Sequence, residues 1–274
     1  MKAIKKTAVF LSLLVTLAVA STTFTENAAA AASSIKDAHV YLKVNEYYVL
    51  YTAPKAPYVD QNNRLLIPLR LISELLGATV KYDGTTKTAV IQMENKTVTY
   101  QAGSKQVNVD GNEKSLDSSP VLYHSSIFIP LSSFIQNFGI KSEWNQADKL
   151  YTLRGDRLTQ TSMVKNWEEL DRIVSLPAAD SNAFLPVSYR YDAVKNKVTI
   201  KSKNISGGDI AEGHEDVHPY FIFGESAQFD NKNRPRPFVK KDGIIESSWT
   251  LNPAIINGVR ETLQYILVQG RMLK

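Results

Sequence analysis

One strand–helix–hairpin pattern is written twice in this chain of 274 residues. Ile67-Pro68-Leu69 returns 62 residues on as Ile129-Pro130-Leu131, Gly77 as Gly139, Tyr82-Asp83 as Trp144-Asn145, Lys87 as Lys149 and Ile91 as Leu153. The repeat runs without a gap and constrains the fold more than any other feature. One short helix and a few strands cannot close a core alone, so the two units must pack together.

The local chemistry of each unit is readable. Proline has no N–H and a fixed φ, which suits the first turn of a helix, so Ile67–Gly77 and Ile129–Gly139 each read as a strand entering a helix. Ile72 and Leu76, like Phe134 and Phe138, stand four residues apart and make an apolar helical stripe. Gly77 and Gly139 end the helices, because glycine takes the left-handed cap conformation freely. A hairpin follows each: Thr79–Tyr82 with Thr88–Ile91 about Asp83-Gly84, and Lys141–Trp144 with Leu150–Leu153 about 145–148. Another precedes each, Tyr41–Val44 with Tyr47–Leu50, and Gln106–Val109 running into Asp110-Gly111. The expected result is two units related by a pseudo-twofold axis, with Ile72, Leu76, Phe134 and Phe138 in the core.

The run Asn63–Gly77, then Val80–Asp83 and Lys87–Ile91, resembles the copper amine oxidase N-terminal-like, or stalk, domain. Residues 36–154 cover that module. The second copy departs from the pattern at Ser132 and Phe138, where the first has Arg70 and Leu76. The resemblance implies an α+β module of strands around a helix, frequent in secreted and surface proteins of Gram-positive bacteria. It does not imply oxidase activity, since the domain is an appendage in those enzymes. A quinone-forming tyrosine sequence and a His-x-His copper pair are missing: Asn45-Glu46-Tyr47-Tyr48 has the wrong order, and His39 and His124 stand far from the other two histidines.

The second half, 158–274, reads as a further α+β domain. Asn166 opens a helix to about Leu176, before Pro177. Phe184–Tyr191 and Lys197–Lys203 form a hairpin, either an ordinary one or a degenerate third copy of the half-unit. Tyr220–Phe223 and Ile244–Leu251 read as strands, and Arg234-Pro235-Arg236-Pro237 as an extended, exposed stretch. Asn252-Pro253 followed by Ile255, Ile256, Val259, Leu263, Ile266 and Leu267 reads as a capped amphipathic helix at the C-terminus.

Four constellations bear on chemistry. His214-Glu215-Asp216-Val217-His218 fits His-Glu-x-x-His, in which two imidazoles one helical turn apart hold zinc and the glutamate acts as base. Pro219 after the second histidine, Gly213 before the first and the lack of a third ligand point instead to a solvated acidic loop, with no metal and no cofactor. Arg70 and Glu74, four apart, form either an anion anchor or a local ion pair. Tyr47, Tyr48, Tyr51 and Tyr58 around Pro54 and Pro57 are either sugar-stacking or core aromatics. No phosphate-cradling glycine loop and no nucleophile elbow is present.

The N-terminus, Lys2, Lys5 and Lys6 before an apolar run Ala8–Ala20 and a small-residue stretch Ala28–Ala32, reads as a signal peptide over 1–32. Cleavage near Ala30 removes three lysines and Glu26, so the formal charge falls from +5 to +3. That balance permits loose contact with an anionic wall and does not suggest nucleic-acid binding. The chain has no cysteine, hence no disulfide and no lipid-bearing thiol. The expectation is a secreted, non-catalytic envelope protein. It binds or scaffolds at the cell surface, on wall polymer or an envelope protein, and has no membrane contact after cleavage. The alternative is a zinc hydrolase using His214, Glu215 and His218.

Overall fold

The computed structural model describes residues 40–274, apart from 157, 160, 175, 225 and 230–233 and the side chains of Leu71 and Val174. The expected signal peptide and His39 lie outside the described residues. In chain order the first unit contains β1 (Tyr41–Val44), β2 (Tyr47–Tyr51), β3 (Tyr58–Val59), β4 (Leu65–Pro68), α1 (Leu69–Leu75), β5 (Thr79–Asp83) and β6 (Thr88–Met93). β7 (Lys96–Gln101) leads to β8 (Gln106–Val109), β9 (Asn112–Ser115), β10 (Val121–Tyr123), β11 (Ser126–Pro130), α2 (Leu131–Phe138), β12 (Lys141–Asn145) and β13 (Leu150–Arg154). Then come α3 (Ser162–Val174), β14 (Ala178–Asp180), β15 (Phe184–Asp192), β16 (Lys197–Asn204), β17 (Glu215–Phe223) and β18 (Ser226–Phe229). β19 (Ile244–Thr250), β20 (Ile255–Ile256), β21 (Val259–Arg260) and β22 (Leu263–Leu273) complete the chain. The architecture is mixed α and β, and mostly sheet.

The two strand–helix units meet through their own strands. β4 and β11 pair antiparallel, with Ile67 directly opposite Ile129, so matching residues of the pattern face each other. Pro68 and Pro130 stand in extended conformation at the helix starts. Gly77 (φ 74°) and Gly139 (φ 65°) follow the helices in the left-handed region. Ile72, Leu76, Phe134 and Phe138 are buried, with the two phenyl rings 4.8 Å apart.

The following hairpins go to different sheets. β5 and β6 enter a five-stranded sheet in the order β5-β6-β7-β8-β9, which leaves β5 at an edge. β12 and β13 enter an eight-stranded sheet in the order β12-β13-β1-β2-β22-β17-β18, with β14 also on β22. β1 joins β13 in parallel and β2 joins β22 antiparallel, so this sheet draws strands from both halves of the sequence.

The centre of the large sheet is buried on both faces. Tyr265 and Leu267 of β22 pack with Ile72, Phe134 and the five-stranded sheet. Ile266 and Val268 point to the other core, with Phe184, Ile200 and Trp249 of the β15-β16-β19 sheet. At Gly270 the β22 backbone passes so close to β15 that an added Cβ would lie 2.0 Å from the Phe184 carbonyl oxygen.

The expected C-terminal helix is a correction. Asn257 (φ 51°) and Gly258 (φ 78°) form a tight turn between β20 and β21, in the middle of the apolar pattern. Asn-Gly supplies the two positive φ values that such a turn requires, and it outweighs the Asn252-Pro253 start. Beyond it, Tyr265-Ile266-Leu267-Val268 is a continuous apolar run, the signature of a strand covered on both sides. Elsewhere α3 begins at Ser162, before the expected Asn166 cap, and β17 begins five residues before Tyr220.

Candidate ligand-binding groove

The His214 motif lies at the start of β17 and on no helix. Extended backbone rises about 3.3 Å per residue, so four residues separate the two histidines by about 13 Å rather than one helical turn. His214 Nδ1 lies 3.1 Å from the Leu273 carbonyl oxygen. Among the described residues no group of three or more His, Cys, Asp or Glu side chains is placed to hold a metal ion. The expectation of a solvated loop is also corrected: Glu215, Asp216 and His218 are at most 3% exposed. Pro219 is tolerated because the segment is extended, and the acids are buried because cations meet them.

Those cations come from places the sequence does not advertise. Arg234 forks onto Glu215, at 2.6 and 3.0 Å, and donates to the Val217 carbonyl. Arg236 donates to Asp216 Oδ1 at 3.1 Å. The Arg-Pro-Arg-Pro stretch is therefore folded over the acid pair, not free. Arg271 of β22 bridges Asp216 (2.7 Å from Nε) and Asp171 of α3 (2.6 Å from Nη1). Burial alone would lower the Arg271 pKa, but Asp216 and Asp171 outweigh it and the net shift is upward. Tyr220 donates to Asp171 at 3.2 Å. His218 Nε2 sits 2.9 Å from Asp171 Oδ1 but makes no hydrogen bond among the described residues.

A cavity of about 510 Å³ opens beside this cluster, lined by Glu46, Tyr47, Glu168, Tyr220 and Arg271 among others. Its groups are largely committed to one another: Tyr47 donates to Glu168 at 2.5 Å, and Tyr220 and Arg271 both reach Asp171. Burial first, then Tyr220 and Glu168, raises the Tyr47 hydroxyl far above its ordinary value. The arrangement joins α3 to the large sheet.

A second cavity, about 320 Å³, is different in kind. It is lined by residues of the α1 start, β5, β6, the β10–β11 turn, Ala53-Pro54 and the start of β22. Pro54, Pro68, Leu69, Val80, Ala89 and Ile127 form its apolar walls, and Arg70, Tyr82, Ser125, Ser126, Thr262 and Gln264 its polar points. Arg70 is exposed, makes no hydrogen bond with any described residue and does not close to ion-pair distance on Glu74. Burial raises the Glu74 carboxyl and Arg70 only partly offsets this. Of the two readings of that pair, the local ion pair is not closed, and Arg70 is one of the residues that line the groove.

A lysine–aromatic contact and a turn with positive φ values border the groove. Lys55 lies over the Tyr58 ring at 3.7 Å and 5.3 Å from the Tyr123 ring. His124 (φ 43°) and Ser125 (φ 63°) make the β10–β11 turn with two positive φ values and no glycine. Such conformations cost about 1 kcal/mol or more each and gather where a site must be held in place. Of the aromatic cluster, Tyr47, Tyr48 and Tyr51 are core residues and Tyr58 is half-buried. The exposed aromatics include instead Tyr82, which lines the groove, Tyr123 on β10, Trp144 at the position on β12 that matches Tyr82, and Phe238.

Comparison with curated proteins gave no match. Among the described residues no helix is long and apolar enough to cross a membrane. Residues 43–153 match the copper amine oxidase N-terminal domain, a non-catalytic, stalk-type family, and they run from within β1 to within β13, with α1, α2 and most of the residues that line the Arg70 groove. The chain carries a copper amine oxidase N-terminal domain.

Proposed function

We propose that this protein is a secreted, non-catalytic component of the cell envelope that binds a wall polymer or an envelope protein through the Arg70 groove. The two strand–helix–hairpin units act as two copies of one stalk-like module, and residues 158–274 brace it through the shared sheet. The observation that carries the reading is Arg70 itself, an exposed arginine with no hydrogen bond or ion pair among the described residues, lining a largely apolar groove within the matched domain. A free arginine beside apolar walls and a half-exposed tyrosine is a recognition arrangement: the charge orients an anionic group and the walls exclude water around it. The N-terminal Lys2–Ala32 pattern supports export.

The test is co-sedimentation with purified Gram-positive cell-wall material. The wild type is retained, and Arg70→Ala, still folded by circular dichroism, binds at least about tenfold more weakly, the usual scale for a charged contact. Equal retention of both proteins removes the groove from the account.

A further inference from the structure

The Arg70 groove collects polar side chains that the fold does not use. Arg70, Tyr82, Ser125, Ser126, Thr262 and Gln264 all line it, and none of these side chains forms a hydrogen bond with another described residue. Elsewhere such groups serve the fold: the hydroxyls of Tyr41, Tyr191 and Tyr220 donate to Val187, Asn196 and Asp171. The six side chains come from four places, the α1 start, β5, the β10–β11 turn and the start of β22. Free polar groups therefore meet a bound molecule from several directions.

The charge around the groove is balanced. No acid lines it, but Glu74 is close enough to Arg70 for the guanidinium to lower its carboxyl against the larger effect of burial. On β5 the residues that face away from the groove include Lys81 and Asp83, of opposite sign. Apart from Arg70 the polar lining is uncharged, and its hydroxyl and amide groups both donate and accept. The volume of about 320 Å³ lies at the small end of ligand clefts, which run from roughly 300 to 1,000 Å³, so the groove has room for a small rigid unit and not for a folded element.

A sugar ring has the matching chemistry. A pyranose carries C–H groups on its faces and hydroxyls around its rim. Its face packs on an aromatic ring and apolar walls, which Tyr82, Val80 and Ile127 provide, with Tyr82 36% exposed. Its rim needs groups that both donate and accept in several directions, which Ser125, Ser126, Thr262 and Gln264 provide. An extended peptide differs, because its polar groups run along one line and are met by a strand edge.

We infer that the groove binds one uncharged sugar unit of a polysaccharide, with the ring face on Tyr82 and hydroxyls on Ser126 and Gln264. Arg70 keeps the role given to it above, toward an anionic group elsewhere on the same polymer. This assignment rests on the reading of the groove as the ligand site and narrows its ligand from a wall polymer or a protein to a glycan.

The experiment titrates uncharged tetrasaccharides of glucose, galactose, mannose and N-acetylglucosamine into the full chain by calorimetry, beside retention on cell-wall material. At least one tetrasaccharide binds the wild type and displaces it from the wall. Tyr82→Ala binds that sugar at least about fivefold more weakly, the scale of a lost aromatic contact, while Tyr82→Phe stays within about twofold. Gln264→Ala, which keeps the backbone contacts to Thr52 and Ala53, also weakens binding. Sugar binding indifferent to both Tyr82→Ala and Gln264→Ala overturns the glycan site. Failure of every tetrasaccharide, or loss of wall retention once protease has stripped the wall of protein, also overturns it. Either result leaves the proposed function standing where retention on untreated wall still depends on Arg70. Failure of every tetrasaccharide together with retention indifferent to Arg70→Ala overturns both.

Discussion

Arg271 and Arg70 show two uses of the same side chain. Arg271 is 8% exposed and lies between Asp216 and Asp171, with every contact at 2.6–2.7 Å. Arg70 stands at a groove with no carboxylate in its walls and no ion-pair partner among the described residues. A charge taken out of water must be matched by its neighbours, so the buried cluster has nothing left to offer a ligand. A charge at the rim of an apolar groove keeps its water until a ligand replaces it. The denser collection of titratable groups is therefore structural, and the sparser one is the candidate site.

The sharpest way to break this comparison is to remove a buried partner. Arg271→Leu takes from Asp171 and Asp216 the cation they share, leaving Asp216 with Arg236 and Asp171 with Tyr220, and should destabilise the fold by about 3 kcal/mol in urea or guanidinium titrations. A loss below about 1 kcal/mol means the cluster is wetter and freer than its geometry indicates, and it would then compete as a ligand site. The apolar core beneath the groove should respond on a similar scale. Phe138→Ala, which leaves Phe134 without its ring partner, should cost about 3–5 kcal/mol. A cost near zero would show that the helices of the two units are not held by a common core.

A smaller effect separates burial with a match from burial without one. Lys43 is 8% exposed, lies 4.6 Å over the Tyr48 ring and donates to Asn182, but has no carboxylate ion pair among the described residues. Burial, assisted by Arg154 and opposed by Glu46 and Asp180, lowers its pKa from 10.5 to about 8. The unfolded chain then holds this proton more tightly than the folded one. The Lys43 contribution to stability is thus present above pH 10.5, is lost as pH falls through about 8, and rises with pH between those values. Lys43→Met should flatten that rise in denaturation curves taken from pH 7.5 to 10. The same slope in both proteins contradicts the assignment.

The parts legible in the sequence were those with local causes. Pro68 and Pro130 start the helices, Gly77 and Gly139 stop them, and the hairpins about Asn45-Glu46 and Asp83-Gly84 form where turn residues interrupt apolar runs. The β22 strand was not legible, because Leu263, Ile266 and Leu267 also fit a helical stripe and only the two surrounding cores decide between them. The buried cluster was hidden for a related reason. Asp171, Asp216 and Arg271 lie up to 100 residues apart, and no local pattern joins α3, β17 and β22. Arg70 was visible as a candidate, but whether Glu74 neutralised it depended on a distance. The one signal that could have warned against the C-terminal helix was Asn257-Gly258.

Arg70→Ala should do least to the fold and most to binding. Its side chain is exposed and has no ion pair among the described residues, so stability should change by less than about 0.5 kcal/mol. The decisive measurement is a binding isotherm on purified wall material for wild type and Arg70→Ala, with the melting temperature of each taken on the same preparation. The account predicts superimposable melting curves and binding at least about tenfold weaker in the variant. Unchanged binding with unchanged melting would contradict it.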